Sequence, residues 1–314
     1  MQKKIKSMLF GFAVADALGV PVEFKSRESL KKNPVTSMRG FGTYNQPAGT
    51  WSDDTSMTLA TMKSISRLKK IDYADIMENF SFWLETGAFT PFGKVFDCGM
   101  TCRRAIFNFS TKIFGKTKPP LECGLTDENS NGNGSLMRIL PVVCYLYKIY
   151  GENFNSDAMK KIHEISCLTH AHKRSQIGCG IYSLIAVELL SGKNISESIK
   201  IGLEKSKNFY VDEPELKHYS RLFQKNFKNL PEAEIKSSGY IVHTLEAVLW
   251  CLLNTNNYKN LALKAVNLGE DTDTVAAVAG GLAGIFYGLE SIPSDWLETL
   301  QNKNYLEDIA ENFI

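Results

Sequence analysis

Residues 269–289 read GEDTDTVAAVAGGLAGIFYGL, an acidic, hydroxyl-rich turn that runs straight into alanine, glycine and valine. Val275, Val278, Leu282, Ile285 and Leu289 recur at 3-4-3-4 spacing, which places them on one face of a helix. The other faces carry Ala276, Ala277, Ala279, Gly280, Gly281, Ala283 and Gly284. Neighbouring helices can approach such a rod from every side, so it can be buried nearly all round. A buried helix should not begin with Asp271 and Asp273 unless something positive meets them. Gly269 suits a left-handed helix end. The segment therefore predicts a helix ending near Leu268, a tight acidic turn, and a second helix beginning near Val275.

The same periodicity extends through the chain. Ile5, Met8, Leu9, Phe12 and Asp16 share one face. Met57, Ile65 and Leu68 form another stripe, with Ala60, Thr61 and Ser64 between them, and Ile241, Leu245, Val248 and Leu252 a third. Sustained alternation of β-branched residues is hard to find. The expectation is an all-α fold of about a dozen helices. Polar or glycine-bearing stretches at Asn33–Ser52, Lys116–Gly134 and Asp212–Ser238 separate the helices. None is long or simple enough for an interdomain linker, so residues 1–314 are read as one compact domain.

Composition narrows the function classes. Hydrophobic residues make up 44% and charged residues 22%, as in an ordinary folded protein. The net charge of +2, from 36 basic and 34 acidic side chains, leaves no footprint for nucleic acid or a polybasic membrane anchor. No nucleic-acid or membrane partner is expected, and a monomer is. Seven cysteines without a CxxC pair suit a reducing compartment. Cys98 and Cys102 lie one helical turn apart and are read as buried thiols rather than half a metal site. Lys3, Lys4 and Lys6 precede the apolar run Met8–Val14, and Ala13-Val14-Ala15 resembles a signal-peptidase site. Gly11 interrupts that run and Asp16 follows it at once, so the chain is read as cytoplasmic. No stretch is expected to reach the ~20 apolar residues of a membrane span.

A second acidic turn, GTWSDDT at Gly49–Thr55, leads into the helix predicted from about Ser56. Helix capping alone would explain one such cluster, since carboxylates in a first turn gain ~0.3–1 kcal/mol from the helix dipole. Capping needs one or two oxygens, however, and each turn packs several. Aspartate carboxylates with Ser and Thr hydroxyls are hard donors suited to Mg²⁺, Mn²⁺ or Ca²⁺. Zinc would want His or Cys, and no HExxH motif occurs. If the two turns face each other, they could hold two ions a few ångströms apart. Asp16, on an apolar face, must be buried and hydrogen-bonded, which places it behind such a centre.

Taken together, these segments resemble the ADP-ribosylglycohydrolase family, and within it the bacterial members that remove ADP-ribose from dinitrogenase reductase. The likeness runs through GFAVADALGVPVEF (11–24), GTWSDDTSM (49–57), FDCG (96–99), NGNGSLMR (131–138), THAH (169–172), SGYIVHTLEAVLW (238–250) and NLGEDTDTVAAVAGGLAGIFYG (267–288). Seven segments in family order make a specific match. The resemblance implies a compact all-α fold and two divalent cations, Mg²⁺ or Mn²⁺. Ser52, Asp53 and Asp54 would supply one set of ligands, and Asp271, Asp273 and Thr274 the other. By the same resemblance Glu23 gates the centre and Asp97 takes part in proton transfer, beside Asp54. The backbone of Gly132, Asn133 and Gly134, with Ser135, would cradle phosphates and ribose. His170 and Tyr240 would contact the nucleotide or frame the cleft.

By residue type alone, Asp97 is also a good turn or cap residue, and Asn131–Gly134 a tight turn that can present backbone N–H groups to phosphate. Tyr240 reads as a core aromatic, and His163, His172 and His243 as structural or surface residues. Ala15 and Ser52 depart conservatively from the family pattern. Met100 stands where a more polar residue is expected, which bears on substrate choice. The implied activity is metal-dependent hydrolysis of the N-glycosidic bond between ADP-ribose and a protein side chain, most readily arginine. The alternatives are a hydrolase of serine-linked ADP-ribose or a small ADP-ribose conjugate, and a non-catalytic ADP-ribose-binding protein.

Overall fold

The computed structural model describes residues 1–110 and 118–313. The first two residues of the expected 116–134 separator lie outside it. Fourteen α-helices and eight short 3₁₀ segments occur among the described residues, with only isolated β-bridges and no strand. The all-α expectation holds, with more helices than the dozen read from periodicity. The 212–238 stretch is not simply irregular, because it contains the 3₁₀ segments Pro214–Phe223, Phe227–Asn229 and Glu232–Glu234.

The axis of the fold is a pair of helices from opposite ends of the chain, Gln2–Gly19 and Thr272–Tyr287. Every residue from Thr272 to Ile285 is buried, as the small-residue composition predicts. Leu289 falls beyond the helix end, so the apolar stripe stops one step short. The pair packs backbone to backbone. A methyl group at Gly280 would lie 2.3 Å from the Gly11 carbonyl oxygen, and one at Gly284 would lie 2.1 Å from that of Ser7. Tyrosine hydroxyls that would otherwise be buried unpaired end on this axis. Tyr258 donates to Gly11 O at 2.6 Å and Tyr182 to Val278 O at 2.8 Å. The helices Asp53–Leu68, Lys173–Leu190, Ile241–Leu253 and Tyr258–Val266 close around the pair over one contiguous apolar core.

Gly284→Ala should therefore lower stability by about 3 kcal/mol, because backbone rather than a flexible side chain meets the new methyl. An unchanged urea midpoint would show that the helix pair can separate at no cost.

One expectation needs correcting. The segment Gln2–Val22 is 21 residues long with mean hydropathy 1.5, long and apolar enough to cross a membrane. Gly11 and Asp16 do not break it, because both face the interior. In the fold 94% of its most apolar window is buried against protein.

Candidate active site

Both acidic turns begin their helices earlier than expected. The first helix starts at Asp53, capped by Ser52, whose Oγ accepts from the Asp54 N–H at 3.2 Å. Asp53 and Asp54 thus lie in the first turn, where free N–H groups and the helix dipole favour anions. The second starts at Thr272, with Asp271 at the cap position, and the preceding helix ends at Val266. Between them the chain reverses through Gly269 (φ +82°) and Glu270 (φ +62°), both left-handed.

The turns meet although 220 residues separate them. Thr274 Oγ1 donates to Asp54 Oδ2 at 3.2 Å, and Ser52 Oγ donates to the same oxygen at 3.0 Å. Asp16, fully buried, fixes the first turn from behind. Its carboxylate accepts from the Ser52 N–H at 3.0 and 3.1 Å, from the Thr55 N–H at 3.1 Å and from Thr55 Oγ1 at 2.6 Å. Burial still raises its pKa to about 6 against the pull of those bonds.

Carboxylate oxygens of Asp16, Asp54 and Asp273 lie within 4.8 Å of one another, as do those of Glu23, Asp271 and Asp273. Asp273 belongs to both groups. Burial, then the other carboxylates, pushes Asp53, Asp54 and Asp273 well above the usual range. Burial and the neighbouring Asp97 raise Glu23 to about 8. Glu23 Oε2, Asp54 Oδ1 and Asp273 Oδ2 are buried with no hydrogen-bond partner. Leaving such atoms unmatched is costly, and hard oxygen donors at this spacing suit a divalent cation. The cluster could hold metal.

A cleft of about 710 Å³ opens over these groups. Glu23, Asp53, Asp97, Asp271 and Thr274 line its floor, and Gly132, Asn133, Gly134 and His170 also line it. Its remaining lining includes Phe24, Met100 and Glu270.

The family model for ADP-ribosylglycohydrolase matches residues 1–314. The chain belongs to the ADP-ribosylglycohydrolase family. It is 31% identical over 312 residues to the ADP-ribosylarginine hydrolase Tri1 of Serratia proteamaculans (strain 568), covering 98% of this chain and 78% of that protein. It is also 31% identical to the ADP-ribosyl-[dinitrogen reductase] glycohydrolase of Rhodospirillum rubrum, over 93% of this chain and 88% of that one. A solved structure titled ADP-ribosylglycohydrolase-related protein complex superposes with a TM-score of 0.78 at 28% identity, covering 99% and 97% of the two chains. The chain is thus a glycohydrolase acting on ADP-ribose conjugates.

In this ADP-ribosylglycohydrolase the predicted acidic and hydroxyl residues of the two turns, with Glu23 and Asp97, separate into two layers. Glu23, Asp53, Asp97, Asp271 and Thr274 face the cleft, whereas Ser52, Asp54 and Asp273 lie just beneath its lining. Asp97 is half-buried, its carboxyl raised by burial and by Asp271 and lowered by hydrogen bonding to Tyr44.

The glycine loop lines the cleft through Gly132, Asn133 and Gly134, while the side chains of Asn133 and Ser135 bond to protein groups. Asn133 donates its side-chain amide to Asp271 Oδ2 at 2.7 Å and Thr244 Oγ1 at 2.9 Å, and its N–H to Gly239 O at 3.0 Å. It braces the second acidic turn. Ser135 is fully buried outside the cleft lining, where its Oγ accepts from Ser166 Oγ at 3.0 Å and Cys179 Sγ at 3.4 Å. Tyr240 flanks the lining residues Ser238 and Gly239, with its ring edge-on to His243 and 5.8 Å from the Arg174 guanidinium. His170 does line the cleft. Its Nδ1 lies 2.8 Å from Thr169 Oγ1, which also accepts from buried Arg138 at 2.6 Å. Burial and Arg138 lower its pKa to about 3, so the ring is neutral. Cys102 is buried as expected, and Cys98 only partly so.

Sequence reading missed Tyr44. Its hydroxyl lies close enough to the carboxyls of Glu23 and Asp97 to lower the pKa of both. It sits in the Asn33–Ser52 stretch, where no periodicity marks it, so only the fold could reveal it.

Proposed function

We propose that this glycohydrolase hydrolyses the N-glycosidic bond between ADP-ribose and an arginine side chain, using two Mg²⁺ or Mn²⁺ ions. One observation carries the metal reading: buried carboxylates from both turns converge with three oxygens left unpartnered. The arginine reading is supported by likeness to a relative named ADP-ribosylarginine hydrolase. Ser52, Asp53 and Asp54 would hold the ions from one helix start, and Asp271, Asp273 and Thr274 from the other, with Glu23 above Asp273. Bound there, the ions would supply Lewis-acid polarisation of the ribose diol and of a water.

The protein groups do the rest. Asp97, at the cleft floor, accepts a proton from the attacking water as positive charge builds at ribose C1. The Tyr44 hydroxyl, beside Asp97 and Glu23, favours the ionised form of both carboxyls. Neutral His170 and the Gly132–Gly134 backbone line the wall that receives the nucleotide, while Asn133 keeps Asp271 aimed at the floor. Water oxygen bonds to C1 as one of its protons passes to Asp97, the C1–N electron pair goes to nitrogen, and the departing guanidine takes up that proton from Asp97 or an equivalent one from solvent.

ADP-ribose release from arginine- and serine-linked conjugates, with and without chelator, tests this reading. Arginine-linked substrate should be preferred by about tenfold or more. Chelator should abolish turnover, and Mg²⁺ or Mn²⁺ should restore it. Chelator-resistant turnover would remove the metal reading, and a preference for serine the arginine one.

A further inference from the structure

One side of the cleft is built unlike the rest. Phe24 lines it with 70% of its surface exposed and φ at +64°, a left-handed conformation that a bulky side chain rarely adopts. Glu270, also lining the cleft and exposed, is left-handed as well. The two strained residues are tied together. The Phe24 N–H donates to Glu270 O at 2.7 Å, and the Glu270 N–H donates to Lys25 O at 2.8 Å. Strain held by paired backbone bonds at a cleft points to function rather than to core packing.

The Phe24 ring is also braced. It meets Tyr44 edge-on with centroids 6.3 Å apart, and Tyr44 in turn packs on Phe96 at 5.1 Å. The Tyr44 hydroxyl faces the carboxyls of Glu23 and Asp97, whose pKa values it lowers. An exposed aromatic ring is thus mounted on the acidic floor, next to a solvent-facing carboxylate. An aromatic face attracts a planar cation, a carboxylate pairs with it, and apolar surface accepts its aliphatic stem. Met100, 83% exposed in the same cleft, supplies such surface.

From this we infer that Phe24 and Glu270 form the seat for the leaving group, the ring stacking on the arginine guanidinium and the carboxylate pairing with it. This inference rests on the arginine reading above. It assigns recognition of the linkage to the two strained residues and leaves the chemistry to the carboxylates beneath. Phe24 and Glu270 are specificity-determining rather than catalytic.

The test measures kcat and KM on ADP-ribosyl-arginine, together with inhibition by free arginine, for the parent, Phe24→Ala, Phe24→Gly and Glu270→Gln. Glycine suits φ +64°, so Phe24→Gly guards against misfolding of the alanine variant. Phe82→Ala, which removes a 54%-exposed ring outside the cleft, is the control. In the three cleft variants KM and the arginine inhibition constant should rise by about tenfold, with kcat changing much less. Added salt should weaken arginine inhibition of the parent more than that of Glu270→Gln. Parent-like KM and arginine inhibition in all three, with the parent active, would overturn the seat alone. A parent that releases ADP-ribose from serine but not arginine would overturn the arginine reading and the seat with it.

Discussion

The double substitution Asp271→Ala with Asp273→Ala should reduce ADP-ribose release by on the order of a thousandfold or more. Asp273 belongs to both carboxylate groups, so its loss removes a member from each. Asp271 anchors the Asn133 amide, so its removal also frees the glycine loop. The fold should persist. Removing two buried acids relieves repulsion with Asp54 and Glu23, and in chelator the variant should melt no lower than the parent. Thermal melts with and without Mn²⁺ provide the second readout: the parent gains stability from the ion and the double variant does not. Undiminished turnover in a folded variant would reject the metal mechanism.

The second large effect is in pH. In chelator the folded protein should lose stability steadily as pH rises from about 4 to about 8. Folding raises the pKa of Glu23 from 4.5 to about 8, and that of Asp16 from 3.8 to about 6. A carboxyl raised on folding contributes fully below its unfolded pKa, and that contribution fades as pH climbs through the folded value. Asp16 should titrate through the lower half of this window and Glu23 through the upper half. A tenfold difference in proton affinity between folded and unfolded chains is worth about 1.4 kcal/mol, so the two shifts together imply a loss on the order of 8 kcal/mol across the window. A saturating divalent ion should flatten the slope, because it takes the place of the protons. Urea midpoints measured across this range check the sign, and a chelated protein that grows more stable toward the alkaline end would contradict it.

Much of the site could be read before any fold was known. Each acidic turn occupies a few consecutive residues, and hard-ligand chemistry follows from side-chain type alone. Asp16 was likewise readable as a buried group behind the centre, since a carboxylate on an apolar helix face must find donors. Both helices start about one turn earlier than periodicity suggests, because Asp and Thr serve equally well as loop and first-turn residues. The side chains of the glycine loop were less legible. Its composition suggests exposed N–H groups, but whether Asn133 and Ser135 face substrate or protein depends on what packs behind them, here Asp271, Thr244, Ser166 and Cys179.

Local periodicity and residue chemistry therefore determined three things: an all-helical chain, a small-residue central helix, and two oxygen-rich turns fit for hard cations. Only the tertiary structure decided that the turns share one floor, that Tyr44 stands beside Glu23 and Asp97, and that Phe24 and Glu270 stand strained beside them. The reason is range. Helix propensity and ligand type act over a few residues, whereas the meeting of Thr274 with Asp54 depends on two helices from opposite ends of the chain closing glycine against glycine.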